Sequence, residues 1–413
     1  MTDNKNTIIA IVLSAIVLLG WQYFVGMPQM ERQRQEALLK QQQQTTTPAP
    51  VPGQPTPAPG APAAPGQTTA PAPPGTLTVP GTATPAGVQT QTRAAVLAAT
   101  PRIPVETPRL RGSIALKGAR IDDLALIQYR ETVDPKSPPI TLLSPSGTEH
   151  PFYAEYGWVR GANSNAKLPD AETVWRQEGA GALGPDKPVT LTWDNGEGLT
   201  FRRTIAVDDK YLFTAKDEVT NTTAEPVTLF PYALISRHGT PKTEGYYILH
   251  EGFIGVLGEQ GLKEESYKTV EEKKAIPFTA TNGWLGITDK YWAATLLPDP
   301  AAKLNARFSS GAAGTTKTYQ TDYLLDAQTI APGATGAATM RLFAGAKEVQ
   351  TVDFYDKALG LNRFELLIDW GWFYFITKPM FWTIDWLFHL VGNFGIAILL
   401  VTVLVKAIFF PLA

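Results

Sequence analysis

Three kinds of pattern divide the chain: unbroken apolar runs near its two ends, a long stretch without periodicity, and a middle of short alternating runs. The first apolar run, Ile8 to Val25 (IIAIVLSAIVLLGWQYFV), holds 18 residues with no charge and only Ser14 and Gln22 as polar side chains. At about 1.5 Å per residue such a run comes close to the ~30 Å hydrocarbon core of a bilayer. Trp21 and Tyr23 stand near its end, where amphipathic rings favour the headgroup level. A cleaved signal peptide would have a shorter apolar core and small residues at its cleavage site. This run ends in Trp, Tyr, Phe and Val, so it predicts an uncleaved transmembrane anchor over residues 1–26. Charge does not orient it: Lys5 precedes the run, Arg32, Arg34 and Lys40 follow it, and large following domains translocate regardless of such counts.

Periodicity then disappears. From Gln41 to Thr92 there is no charged residue, prolines recur from Pro48 to Pro85, and no aromatic side chain occurs between Gly26 and Gln128. Such a segment cannot bury enough apolar surface to offset the entropy of ordering it, and its prolines bias it toward extended polyproline II. Residues 27–106 are therefore expected to form a disordered Pro/Ala/Thr-rich tether that acts as a spacer.

From about Thr107 the pattern switches to short β-type runs punctuated by Gly, Asn, Asp and Pro. Val189–Trp193 and Leu199–Val207 flank Asp194-Asn195-Gly196-Glu197-Gly198, which is a hairpin signature because Asn-Gly tolerates positive φ. Further strands are expected at Tyr211–Ala215, Val227–Ile235, Trp284–Thr288, Trp292–Leu297, Tyr319–Leu325 and Ala338–Phe343. Many strands at short spacing with few helical patterns between them predict a large antiparallel β-sandwich over 107–345.

Helical spacing returns in Val349–Leu361, and residues 346–390 read as a helical, membrane-proximal segment. Glu365–His389 mixes Trp370, Trp372, Trp382 and Trp386 with Glu365, Asp369, Lys378, Asp385 and His389. That is too polar for an easy span and too aromatic for an ordinary surface helix, and Pro379 is expected to break or kink it. The four tryptophans fit interfacial anchors at headgroup depth, with the charges turned to water. A helix packed on the sandwich is the blander alternative.

The second apolar run, Gly392–Leu412, is long enough to span and is assigned with residues 391–413 to a second transmembrane helix. Its one charge is Lys406, which costs about 2.5–3.5 kcal/mol at mid-membrane. On a helix Gly395, Leu399, Thr402 and Lys406 share a face, so Thr402 and Lys406 form a polar stripe. From the residues alone the lysine fits either snorkelling to the interface or a water-filled groove.

Composition adds exclusions. With 413 residues, 44% of them hydrophobic, the chain has room for one sizeable core beside its non-globular parts. The net charge of −2 leaves no basic footprint for nucleic acid. The absence of cysteine excludes disulfides, thiolate chemistry and Cys-based zinc sites. His238 and His250-Glu251 have the residue types of sugar chemistry, but there is no HExxH, nucleophile elbow or phosphate-cradling loop to fix a geometry. The chain is not expected to be an enzyme.

Three stretches are more specific: Asn282-Gly283-Trp284-Leu285-Gly286-Ile287-Thr288-Asp289-Lys290-Tyr291-Trp292, Ile368-Asp369-Trp370-Gly371-Trp372-Phe373, and Gly392-Asn393-Phe394-Gly395 leading to Val405-Lys406-Ala407-Ile408. With the order of the five regions, they make the chain resemble the N-terminal portion of the Gram-negative type of the YidC/Oxa/Alb membrane-protein insertase family. The resemblance implies a mainly β periplasmic super-sandwich, mutarotase-like in fold, flanked by transmembrane α-helices in the inner membrane. It implies a hydrophilic, positively charged intramembrane groove with Lys406 at the family's basic position, and further helices after Ala413 that complete it. It also implies nascent membrane proteins, Sec translocase components and membrane lipid as partners, and no cofactor or metal. Lysine keeps the family's charge but not arginine's planar fork. The alternative function is a membrane-tethered periplasmic binding or scaffolding module.

Overall fold

The computed structural model describes residues 79–80, 90–161, 164–243, 249–371 and 373–410. The anchor expected over 1–26, the expected tether up to residue 78 and over 81–89, and Trp372 lie outside them. Over 90–106 the expectation of a disordered tether is corrected, because a helix (Arg93–Ala98) and a strand paired into a sheet (Arg102–Glu106) form there. A short helix α1 (Arg93–Ala98), capped by the Thr92 hydroxyl, leads into the strands. The first five are β1 (Arg102–Glu106), β2 (Leu110–Ala115), β3 (Ile121–Arg130), β4 (Pro139–Leu143) and β5 (Phe152–Arg160). Next come β6 (Arg176–Glu178), β7 (Val189–Asp194), β8 (Leu199–Val207), β9 (Leu212–Asn221) and β10 (Val227–His238). A third group holds β11 (Gly252–Leu257), β12 (Leu262–Glu265), helix α2 (Tyr267–Lys273), β13 (Ala275–Thr281), β14 (Gly283–Thr288) and β15 (Trp292–Leu296). The last strands are β16 (Lys303–Ala313), β17 (Thr316–Leu325), β18 (Gln328–Ile330) and β19 (Thr335–Ala346), followed by helix α3 (Val349–Ala358).

These strands form two antiparallel sheets. The ten-stranded sheet runs β1-β2-β3-β5-β10-β17-β16-β13, with β4 beside β3 and β18 beside β10. The nine-stranded sheet runs β12-β11-β14-β15-β19-β9-β8-β7-β6. Every stretch expected to be a strand lies in one of them, and the fold is mostly a β-sandwich. The β7–β8 hairpin shows why: Leu199, Phe201, Ile205 and Val207 alternate inward, while Gly196 and Gly198 take positive φ. Asn195 itself is not the positive-φ residue; its side chain accepts from the amides of Glu197 (2.7 Å) and Leu199 (2.9 Å) and closes the loop.

One inward position of β8 is not apolar. Arg203 is 1% exposed and faces Asp217 across the β8–β9 ladder, with Nε and Nη2 each 2.6 Å from a carboxylate oxygen. Nη2 also donates to the carbonyl of Tyr156 in the other sheet (2.8 Å), so one guanidinium ties the two layers together. A bidentate pair with its remaining donors satisfied is the arrangement in which a buried charge is tolerated.

Residues 373–410 form a separate unit of two helices, α4 (Tyr374–Val391) and α5 (Phe394–Phe409). Gly392 adopts the left-handed conformation (φ 68°) that ends α4, and the Asn393 side chain accepts from the Ile396 amide (3.2 Å) to start α5. Of the break or kink expected at Pro379, the break does not occur: α4 runs through it. The proline lies early in the helix, so only the Phe375 carbonyl, in an exposed residue, lacks its usual donor. The second apolar run contains α5, and residues 411–413 at its end lie outside the described residues. α5 has 16 residues, about 24 Å at 1.5 Å each. No helix among the described residues is long and apolar enough to cross a membrane.

Candidate functional site

Within the helical unit, Ala397 and Val401 of α5 are buried against Leu387, with Ile384, Val391 and Val405 around them. The spacing of 397, 401 and 405 is one turn each, which gives a narrow packed stripe. Many of the other side chains are exposed and apolar, including Phe375, Ile376 and Leu390 on α4 and Leu399, Val403 and Ile408 on α5. A pair of helices that exposes this much apolar surface needs lipid or protein around it as well as water.

Lys406 and Thr402 lie one position beyond the packed stripe, both exposed, one turn apart. The Thr402 hydroxyl donates to the Ile398 carbonyl (2.9 Å), so its hydrogen is engaged within the helix while its lone pairs face outward. Of the expected tryptophan anchors, Trp382 and Trp386 share a face of α4 at 43% and 64% exposure. Trp370 belongs instead to the sandwich unit, where its indole donates to the Glu365 carbonyl (3.2 Å). The structure therefore brings together Lys406 with Thr402, and Trp382 with Trp386.

The sequence stretches that carried the resemblance turn out to be joints. Trp284 is fully buried, donates to the Asn362 carbonyl (3.1 Å) and meets Phe364 edge-on at 5.1 Å. Asp369 accepts from the His250 amide (3.0 Å), and Asp289 from Arg237 (2.6 Å). Lys347 sits in the same region and donates to the Thr288 hydroxyl (3.1 Å). Burial drops its pKa to about 8, against the opposing pull of Asp289, Asp369, Glu251 and Glu264. Burial also raises Glu264 above the usual carboxylate range.

A second polar constellation lies on the outer face of the ten-stranded sheet. Glu155 accepts from Arg120 (2.6 Å) and from the Tyr232 hydroxyl (2.7 Å), and Asp322 accepts from Arg307 Nε (2.9 and 3.0 Å) and Gln320 (2.6 Å). Gly157 makes room for this: a Cβ there would stand 2.8 Å from the Tyr232 ring. Sequence reading missed these groups, because polar residues alternating in β5 and β17 look like a solvated face. The one available signal was the density of bulky residues at the same alternate positions, Tyr153, Tyr232, Leu234 and Leu324.

The two candidate histidines do not form a catalytic pair. His238, on this outer face, is 4% exposed, packs on Tyr153 (5.9 Å between ring centres), and its Nε2 has no hydrogen-bond partner among the described residues. Burial and, secondarily, the Arg120 charge push its pKa down to about 4, so it is neutral at ordinary pH. The His250 ring bonds the Phe253 carbonyl through Nε2 (2.8 Å).

Residues 102–383 match the family model of the YidC periplasmic domain. The membrane protein insertase YidC of Nitrobacter hamburgensis is 60% identical over 422 residues, covering 100% of this chain and 65% of the relative. Those of Bradyrhizobium diazoefficiens and Rhizobium meliloti are 57% and 47% identical, again over 100% of this chain and over 67% and 66% of the relative. The chain thus spans about two thirds of the length of the curated relatives it matches. Among solved structures, a galactose mutarotase-like protein from Lactobacillus casei gives a TM-score of 0.38 at 12% identity, covering 59% of this chain and 100% of that one. A putative aldose 1-epimerase from Escherichia coli also scores 0.38, at 11% identity and 60% and 99% coverage. At such scores the likeness carries no argument about function.

Proposed function

Because this chain belongs to the family of proteins that carry the YidC periplasmic domain, we propose that it is the exported domain and first core helices of a membrane protein insertase. The observation that supports this best is the match along the whole chain to proteins named as insertases. The protein sits in the inner membrane with residues 1–26 as an anchor, a tether that ends before β1, and the sandwich of β1 to β19 in the periplasm. The helical residues after the sandwich unit lie at the interface, with Trp382 and Trp386 at headgroup depth. Residues 391–413 enter the bilayer, alongside helices that the longer relatives have room to encode.

The work is physical rather than covalent. A water-filled groove with Lys406 and Thr402 on its wall lowers the cost of bringing a substrate's polar, acidic tail partway into the bilayer. The substrate's apolar segment then moves into lipid, driven by about 25 cal/mol for each Å² of apolar surface removed from water. Lys406 acts as a point charge, since an ammonium lacks the fork that would fix one hydrogen-bond geometry. Nascent membrane proteins are the substrates, and the protein inserts and folds them alone or beside the Sec translocon. No nucleotide, metal or nucleic acid enters this scheme.

Lys406→Glu, introduced into the complete protein, tests the reading. Insertion of substrates with acidic exported tails should fall sharply, and Lys406→Arg should keep it. Unchanged insertion of every acidic-tailed substrate by Lys406→Glu would sink the charge role.

A further inference from the structure

A piece of the tether lies on the outer face of the ten-stranded sheet. Val79 is 4% exposed and packs with Tyr153, Tyr232, Leu234 and Leu324 in a cluster separate from the main core. Register explains the cup. Tyr232 stands opposite both Gly157 and Leu324, so the tyrosine ring spreads over the glycine on one side and leaves an apolar seat toward Leu324.

Hydrogen bonds then read the main chain at two consecutive residues. Arg307 Nη2 donates to the Val79 carbonyl at 3.0 Å, and Gln320 Nε2 donates to the Pro80 carbonyl at 3.3 Å. Both donors are held in place by Asp322, which accepts from Arg307 Nε and from the Gln320 amide. Pro80 has no N–H, so at that residue the segment cannot extend a ladder; side-chain donors take the place of a strand edge. Gln320 is 3% exposed, and its Oε1 has no partner among the described residues, which leaves a buried acceptor beside the docked segment for one more donor. In sequence Gly81 follows the Val79-Pro80 pair, and the tripeptide Val-Pro-Gly occurs once more in the uncharged stretch, as Val51-Pro52-Gly53.

We propose that this face is a docking groove for short, uncharged, extended peptides bearing an aliphatic residue followed by proline, and that the chain occupies it in cis through Val79-Pro80. Docking latches the tether to the sandwich and sets the length of chain left free before it. Release of Val79 opens the groove to the second Val-Pro-Gly copy. The alternating Arg307 and Gln320 donors favour a polyproline-like backbone, whose carbonyls are unpaired and turned outward.

The chain contains no cysteine, so paired cysteines report docking without background. Val79→Cys with Leu324→Cys in the complete protein, oxidised in detergent, should give at least about tenfold more intramolecular disulfide than Ala70→Cys with Leu324→Cys, as tethering at a fixed site raises effective concentration. Val79→Cys with Leu234→Cys should behave likewise, which covers the case in which one variant fails to fold. Val79→Asp in a Val51→Cys, Leu324→Cys background should raise the Val51 cross-link. Equal cross-linking by Val79 and Ala70 would overturn the latch. Absence of any rise for Val51 in the Val79→Asp background would overturn reading of the tripeptide.

Discussion

His238 gives the sharpest stability prediction. Replacing it by phenylalanine keeps a ring against Tyr153 and removes the only titrating atoms at that position. The native pKa of about 4 lies well below the ordinary histidine value of about 6.5. The folded state therefore refuses a proton that the unfolded chain accepts, and the unfolded state binds more protons throughout that window. Stability present above about pH 6.5 is lost as pH falls toward 4. At about 1.4 kcal/mol for each pH unit between the two values, the full swing is about 3 kcal/mol. At pH 5 about 2 kcal/mol of it has already gone, while at pH 7.5 almost none has. Carboxylates titrate in the same range, but they do so in both proteins and cancel in the comparison. Urea unfolding followed by tryptophan fluorescence, at pH 7.5 and 5.0, should show His238→Phe losing about 2 kcal/mol less than the parent between the two. Equal losses in the two proteins would refute the buried, neutral histidine.

Three further outcomes follow from the fold. Asp217→Ala strands the Arg203 guanidinium between the sheets and should cost about 3–5 kcal/mol in urea unfolding. Gly157→Ala places a methyl against the Tyr232 ring and should cost about 1–3 kcal/mol, whereas Gly179→Ala, with nothing within 4 Å of its Cβ, should be limited to backbone strain. Lys347, held near pKa 8 against an ordinary 10.5, releases its proton more readily folded than unfolded, so stability rises with pH from about 8 to 10.5. Lys347→Met should flatten that rise in a melting-temperature series.

How much of this was legible depends on whether a residue's role is set locally. The β7–β8 hairpin was readable because its turn residues and its inward alternation are contiguous. Arg203 stands in the same strand at an inward position, yet its partners Asp217 and Tyr156 come from another strand and another sheet, so the sequence displays the anomaly without its resolution. The outer face was opaque for a similar reason. Glu155, Gln320 and Asp322 look solvent-facing until Val79, more than seventy residues before the first of them in the chain, is laid over their sheet. Gly392-Asn393 was quoted for resemblance alone, and the structure shows what it does: a left-handed stop followed by a side-chain cap. Pro379 does not break α4 because its cost falls on one exposed carbonyl near the start of the helix. Lys406 and Thr402 were visible as a polar stripe, since helical spacing alone puts them together.

The central claim, that this stripe faces a groove occupied by substrate, can be tested by placing a photoreactive residue on α5 of the complete protein during synthesis of an acidic-tailed membrane protein. Thr402 lies on the stripe, and Leu404 lies about 160° around the helix at about 100° per residue. Adducts to the nascent chain are expected from position 402, and lipid contact only from position 404. Nascent-chain adducts from Leu404 with none from Thr402 would contradict the claim.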